Sequence, residues 1–366
     1  MNASTKTISA TFGKQRPFVI SGPCSAETET QMLTTARQLA ATGKVDALRA
    51  GIWKPRTRPG QFEGAGLDGL KWLVAAKQET GLPITTEVAN AAHVEACLKA
   101  GVDILWIGAR STVNPFSVQE IADALTGVRV PVMVKNPVNP DLELWMGALE
   151  RIERAGVRQI AAIHRGFSSF EKGPFRNAPM WDLAIELKTR VPGLEMFCDP
   201  SHISGSRDLI GMIAQKALDL DMAGLMIESH VNPDEAWSDA KQQLTPAALS
   251  ILLENLIVRT ASVNDQSFKD TLAELREQID HLDDDIMQKL ANRMKISRKI
   301  GQFKKENNVT ILQVNRWEEI VQTRVALGKA MGLDESFTQD LLRLIHHESI
   351  QVQNQVMNEG AAKVKV

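Results

Sequence analysis

Phe197-Cys198-Asp199-Pro200-Ser201-His202-Ile203-Ser204-Gly205-Ser206-Arg207 is the stretch from which the fold can be read. The apolar run from Leu194 to Cys198 predicts a buried strand, and Pro200, with no N–H to offer a sheet ladder, ends it. Asp199 and His202 then stand at the strand's C-terminal mouth. In α/β folds ligands bind at that mouth, because the loops vary while the strands hold them rigidly.

Comparable runs recur at Phe18 to Gly22, Ala47 to Gly51, Ile84 to Val88, Ile104 to Gly108, Val130 to Lys135, Ile160 to His164 and Gly224 to Glu228. Between them lie amphipathic segments such as Gln31 to Ala41, Gly69 to Thr80, Leu142 to Ala155 and Leu209 to Leu220, most closed by a glycine (Gly43, Gly81, Gly101, Gly127, Gly156). Strand and helix alternate, so the sheet is parallel. An open doubly wound sheet gathers its site at one switch point, whereas a closed barrel gathers it from every strand end. Polar residues follow nearly every run: Cys24, Arg49 with Lys54, Glu87, Arg110, Lys135, His164 with Arg165, Asp199 with His202, and Glu228. Only closure brings them to one mouth. The α/β class is therefore refined to a (β/α)8 TIM barrel from about residue 14, within a domain of residues 1 to 258 that ends in the helix Pro246 to Val258.

The strand signal then stops. Residues 259 to 267 are polar and patternless and read as a linker. Ser267 with Asp270 resembles a capping box opening a helix from Phe268 to about Glu306, with Leu272, Leu275, Ile279, Leu282, Ile286, Leu290, Ile300 and Phe303 on one stripe. Two shorter helices, about Arg316 to Met331 and Glu335 to Met357, complete a small all-α three-helix domain over residues 268 to 366.

Charge and cysteine usage narrow the partners. Lys plus Arg (42) balance Asp plus Glu (44), with no basic block, which argues against nucleic acid or an anionic membrane. Cys24, Cys97 and Cys198 are too few and scattered for a disulfide framework, the N-terminal stretch lacks a signal peptide's apolar core, and no run reaches the ~20 residues of a membrane span. The expected compartment is the cytoplasm.

Two sets of side chains carry chemistry in the barrel. Cys24, His202, Glu228 and Asp239 offer one sulfur, one imidazole and two carboxylates, a set that suits Mn, Fe, Co or Zn without choosing among them. Taken singly, Cys24 reads as a small buried hydrophobe and His202 as a hydrogen-bonded loop histidine; their convergence makes them ligand candidates. Arg49, Lys54, Arg56, Arg110, Lys135 and Arg165 are costly to desolvate unless an anion meets them, and imply a substrate with several negative charges.

Gly22-Pro23-Cys24-Ser25, Lys54-Pro55-Arg56-Thr57, Ile107-Gly108-Ala109-Arg110, Val134-Lys135-Asn136-Pro137, His164-Arg165-Gly166, Asp199-Pro200-Ser201-His202 and Ile227-Glu228 with Asp239 together resemble the type I-beta 3-deoxy-D-arabino-heptulosonate-7-phosphate (DAHP) synthases. The related 8-carbon sugar-acid phosphate synthases carry Lys-Ala-Asn-Arg where this chain has Lys54 to Thr57, which favours a four-carbon aldehyde. The resemblance implies condensation of phosphoenolpyruvate with erythrose 4-phosphate, needing a divalent ion, with manganese ahead of iron, cobalt or zinc. It places Arg49, Arg110, Lys135 and Arg165 around phosphoenolpyruvate, Lys54 between the substrates, and Arg56 and Thr57 on erythrose 4-phosphate, with Ala109 and Asp199 also binding substrate. Glu87 is its candidate for orienting the attacking water. No regulatory domain is expected ahead of the barrel.

In the helical part, Ile279, Ile286, Arg293 and Ile300 are spaced by seven, so Arg293 interrupts an apolar stripe, with Lys304 one turn beyond Ile300. Ser349 and Gln353 interrupt the stripe of Leu342, Ile345, Val352 and Val356 in the same way. Snorkelling or register-fixing polar residues would give this pattern, and so would a pocket for an anion. Leu275-Arg276-Glu277-Gln278-Ile279-Asp280-His281-Leu282-Asp283 with Arg293, Lys304, Arg316, Ser349 and Gln353 resembles the all-helical chorismate mutases. That resemblance implies binding of chorismate by Arg276, Arg293, Lys304, Arg316, Ser349 and Gln353, its rearrangement to prephenate without a cofactor, and an intertwined homodimer or dimer of dimers. Gln313 and Trp317 stand where many members carry acidic residues toward the substrate hydroxyl. The expectation is a bifunctional enzyme whose synthase is inhibited by prephenate or chorismate through the helical domain; the rival is a synthase with a non-catalytic dimerising and sensing module.

Overall fold

The structure, a computed structural model, describes residues 8–11, 17–54, 60, 62–170, 173–260 and 263–359. It divides into two compact units, Met1–Ala261 and Ser262–Val366.

In the first unit, β1 (Phe18–Gly22), β2 (Ala47–Arg49), β3 (Ile84–Val88), β4 (Ile104–Ile107), β5 (Val132–Lys135), β6 (Ile160–His164), β7 (Glu195–Cys198) and β8 (Gly224–Glu228) form a closed parallel barrel in chain order. Closure is made by β8 against β1, from Phe18 opposite Gly224 to Gly22 opposite Glu228. β5 begins two residues later than the apolar run suggested, after Pro131, which cannot donate to the ladder.

Side chains alternate between two apolar layers. Phe18, Ile20, Ala47, Trp106, Met133, Ile163, Phe197 and Met226 fill the barrel. Their sequence neighbours, such as Val19, Leu48, Leu105, Val134, Ala162 and Leu225, pack outward under the helices. The N-terminal end is closed by Ile8, from the short helix Ile8–Thr11, which joins the inner cluster. Buried Glu195, at the start of β7, accepts from the N–H groups of Ile8 (2.7 Å) and Ser9 (3.3 Å) and from the Ser9 hydroxyl. Among the described residues that end is filled, which leaves the strands' C-terminal mouth as the open one.

Two close approaches there require glycine. A Cβ on Gly22, whose φ is +151°, would lie 2.0 Å from the Arg49 carbonyl oxygen, and one on Gly108 would lie 2.1 Å from Glu87 Oε1. Pro200 does more than end β7, since it opens the helical turn Pro200–Ser204, whose N-cap Asp199 accepts from the His202 N–H at 3.1 Å.

The second unit contains helices Gln266–Glu306, Val314–Ala330 and Glu335–Asn358. The first starts inside the stretch expected as linker. Its cap is Asp265, which accepts from the N–H groups of Ser267 (2.8 Å) and Phe268 (3.3 Å), and not the expected Ser267; a carboxylate two residues earlier reaches the same orphan donors. Ser297 and Gly301 let this helix approach the last one closely, a Cβ on Gly301 falling 3.1 Å from Gln353 Cα. Much of the predicted stripe, including Leu275, Ile279, Leu282 and Ile286, is more than half exposed within the single chain. Among the described residues no helix is long and apolar enough to cross a membrane.

Candidate active site

The inward rows of the barrel continue upward into charged residues. Arg49 follows Ala47, Glu87 follows Thr85, Lys135 follows Met133, Arg165 follows Ile163, Asp199 follows Phe197 and Glu228 follows Met226, each two residues on and on the same face. The Trp106 ring is the floor: Arg49 lies 5.0 Å and Lys135 5.7 Å from its centroid, and its Nε1 donates to Glu87 Oε2 at 3.0 Å.

On one side of the mouth, ligand atoms of Cys24, Glu228 and Asp239 lie within 4.8 Å of one another. His202 Nε2 is 3.7 Å from Glu228 Oε1, while its Nδ1 is 2.8 Å from Asp199 Oδ2. Burial, with the Glu228 charge second to it, pushes the Cys24 thiol up to about 12. Burial opposes the Asp239 charge as well, yet His202 and Arg176 hold that carboxyl below the usual range. Asp239 adopts a left-handed backbone (φ 47°), which an aspartate tolerates. Glu228 Oε1 is buried with no hydrogen-bond partner. A thiol, an imidazole and two carboxylates, one with a buried oxygen that accepts no hydrogen bond, fit a divalent transition ion.

The other side is cationic. The Lys135 ammonium is 2.7 Å from Asp199 Oδ2, and Arg49 Nη2 is 3.3 Å from Glu228 Oε1. Two further nitrogens of the fully buried Arg49, Nε and Nη1, have no partner. Burial, reinforced by the charges of Arg176 and Arg110, drives the Arg165 guanidinium down to about 10. A buried guanidinium whose charge is disfavoured in this way is set to receive an anion. Lys54, Ala109, Arg110, Lys135 and Arg165 line one pocket with Glu87, His202 and Asp239.

Of the residues expected at the mouth, His164 is not there. Its ring points outward, 5.0 Å from Trp181 and 5.8 Å from Phe167, because it has the opposite strand parity to Ile163 and Arg165. Arg56 and Thr57 lie outside the described residues. Arg176, Gln242 and Gln243 were not foreseen. Arg176 lines the pocket from the loop after β6, and only its being a lone arginine in an aperiodic stretch could have hinted at it.

The model of the DAHP synthetase I family matches residues 2–263. The chain belongs to the DAHP synthetase I family. Its synthase domain is similar to phospho-2-dehydro-3-deoxyheptonate aldolase of Thermotoga maritima, 32% identical over 226 residues, covering 62% of this chain and 64% of that one. It is also 27% identical over 276 residues to 2-dehydro-3-deoxyphosphooctonate aldolase of Polaromonas naphthalenivorans, covering 67% of this chain and 91% of the relative. The crystal structure of the Thermotoga maritima DAHP synthase superimposes with a TM-score of 0.59 at 30% identity, over 65% of this chain and 67% of that chain.

Beyond the synthase domain, the last helix directs Ser349 and Gln353 inward, both buried. Arg293 Nη1 donates to the Ser349 hydroxyl, and Gln353 donates to the Ser349 carbonyl at 3.3 Å, leaving its buried Oε1 unpartnered. Lys304 folds back onto the Ile311 carbonyl at 2.5 Å. Burial lowers both the Arg293 and Lys304 cations. Arg276 and Arg316 are exposed, the latter 2.6 Å from Glu319 on its own helix, and Trp317 stacks on His346 at 4.0 Å. Residues 275–354 match the model of chorismate mutase type II, so a chorismate mutase domain follows the synthase domain.

Proposed function

We propose that the chain is a bifunctional cytoplasmic enzyme of aromatic amino-acid synthesis, condensing phosphoenolpyruvate with erythrose 4-phosphate in the barrel and converting chorismate to prephenate in the helical unit. The observation that carries the first half is the meeting, at one mouth, of a four-residue donor set with Arg49, Lys54, Arg110, Lys135 and Arg165.

Cys24, His202, Glu228 and Asp239 would hold the divalent ion, manganese first among the candidates. When bound, it supplies Lewis acidity toward the aldehyde oxygen. Arg49, Lys135 and Arg165, with Arg110, fix the carboxylate and phosphate of phosphoenolpyruvate, so that its methylene carbon faces the aldehyde carbon. As the C–C bond forms, the aldehyde oxygen takes a proton from Lys54; water then adds at the former enol carbon and gives up a proton that restores Lys54. The C–O bond to phosphate breaks as the new hydroxyl passes its proton to the departing phosphate and becomes the ketone. Burial opposes the Lys54 charge, but Cys24 and Glu228 raise its affinity for the proton, so it is protonated at neutral pH. Arg56 and Thr57 complete the reading on the phosphate of erythrose 4-phosphate. Loss of phosphoenolpyruvate absorbance, dependent on erythrose 4-phosphate and abolished by chelator, is expected; equal turnover after exhaustive chelation rejects the metal reading.

In the helical unit, Arg293 and Ser349 would hold a substrate carboxylate, while Lys304 and Gln353 donate toward the breaking ether oxygen, a rearrangement that needs no cofactor. Arg276 lies seventeen residues before Arg293, ~25 Å along the same helix, and so belongs to a second copy's site. The exposed stripe of Leu275, Ile279, Leu282 and Ile286 supports a two-fold dimer of these helices. Loss of chorismate separates this from a purely sensing module.

Regulation is the reason we propose for joining the two domains. Prephenate or chorismate bound by Arg276, Arg293 and Lys304 inhibits the synthase, through a coupling of about 1 to 3 kcal/mol between two states. Synthase rate measured against prephenate should fall in the wild type and stay flat in Arg293→Ala; equal sensitivity rejects it.

A further inference from the structure

The loop after β8 carries two adjacent glutamines, Gln242 and Gln243, which are 1% and 0% exposed. Both amides are used at both ends. Gln242 Nε2 donates to Glu228 Oε2 at 2.7 Å, and its Oε1 accepts from Arg176 Nη1 at 2.7 Å. The same Arg176 nitrogen lies 3.0 Å from Asp239 Oδ1. Gln243 Oε1 accepts from the Cys24 main-chain N–H at 2.9 Å, and its Nε2 donates to the Ser238 carbonyl at 2.8 Å, one residue before Asp239.

The direction of each amide is fixed by its partners, because an arginine and a main-chain N–H can only donate. The consequence at Glu228 is specific. Gln242 occupies Oε2, and Oε1, which accepts no hydrogen bond, is turned toward His202 Nε2 at 3.7 Å with the Arg49 guanidinium 3.3 Å away as its counter-charge. Asp239 is divided in the same manner: Oδ1 takes Arg176 and Oδ2 receives the Cys24 thiol at 3.4 Å.

We propose that Gln242, Gln243 and Arg176 are positioning residues of the metal site, selecting which oxygens of Glu228 and Asp239 turn toward His202 and Cys24 and setting the main chain of Cys24 before an ion arrives. This rests on the reading of Cys24, His202, Glu228 and Asp239 as ligands. Outer hydrogen bonds of this kind fix ligand orientation, and their loss typically weakens metal binding ~10 to 100-fold. A purely structural role would leave metal affinity untouched and show itself only in the stability of the metal-free protein.

The test is a Mn2+ titration of the full-length protein against a competing chromophoric chelator, with the melting temperature of each metal-free variant in parallel. Gln242→Leu should raise the Mn2+ dissociation constant ~10 to 100-fold. Arg176→Gln, whose side chain is 45% exposed, should raise it as well, and the double variant should fall short of the product of the two because they share a bond. A dissociation constant within about twofold of wild type in folded Gln242→Leu and Arg176→Gln overturns the inference; if Gln242→Leu fails to fold, Arg176→Gln decides alone. Cys24→Ala separates the two levels. Unchanged binding in Cys24→Ala overturns the ligand reading and the inference with it, whereas loss in Cys24→Ala with retention in the other two overturns the positioning role only.

Discussion

Lys54 Nζ lies 3.1 Å from Cys24 Sγ and 3.0 Å from the Cys24 carbonyl oxygen. The proposed proton donor is thus seated against the proposed metal ligand, so substrate protonation and ion binding share one spot.

Lys54→Met should lower the synthase kcat by about 10² to 10⁴, the usual contribution of a positioned acid, and leave chorismate turnover unchanged. Lys54→Arg should not rescue it, since a guanidinium does not release its proton near neutral pH. Steady-state rates of both reactions on one preparation decide it; a synthase rate within threefold of wild type in Lys54→Met removes the role.

His164 makes stability depend on acid. Burial among Trp145, Phe167 and Trp181 lowers its pKa to about 3, against about 6.5 in the unfolded chain. Between those values the unfolded chain binds a proton that the folded one refuses, so stability falls as pH drops from 6.5 toward 3, by at most about 1.4 kcal/mol per unit. From pH 7 to 5 the loss is about 2 kcal/mol. His164→Phe should abolish that increment. Urea unfolding followed by tryptophan fluorescence reads mainly the barrel, which holds six of the seven tryptophans; equal pH dependence in both proteins contradicts the account.

His164 also shows where sequence is informative and where it stops. β1, β3, β6 and β8 have the bounds of their apolar runs, because a strand buried on both faces needs apolar residues at consecutive positions. That Cys24, Glu228, Asp239, Arg49, Lys54, Arg110, Lys135 and Arg165 stand at the mouth was legible from residue type and place after a strand. His164 was misplaced although the period of two, with Ile163 and Arg165 inward, already turned it outward. Asp265 was missed because Ser267 offered a competing cap. Arg176, Gln242 and Gln243 sit in loops with no period, and their partners lie up to 219 residues away, so only the folded chain brings them together.

Arg276 and Arg293 should complement between subunits. Mixing Arg276→Ala with Arg293→Ala protein under conditions of subunit exchange should restore part of the mutase activity that each variant lacks, because one of the two sites in a mixed dimer is intact. Native mass spectrometry verifies exchange, and no recovery despite it counts against the shared site.

The central claim is two independent chemistries in one chain, and crossing two substitutions tests it most directly. Phosphoenolpyruvate loss and chorismate loss are measured on the same full-length preparations of wild type, Cys24→Ala and Arg293→Ala, without effector. The account predicts that Cys24→Ala loses the condensation and keeps the rearrangement, and that Arg293→Ala does the reverse. A wild type that consumes no chorismate, or a Cys24→Ala protein that still condenses at the wild-type rate, would contradict it.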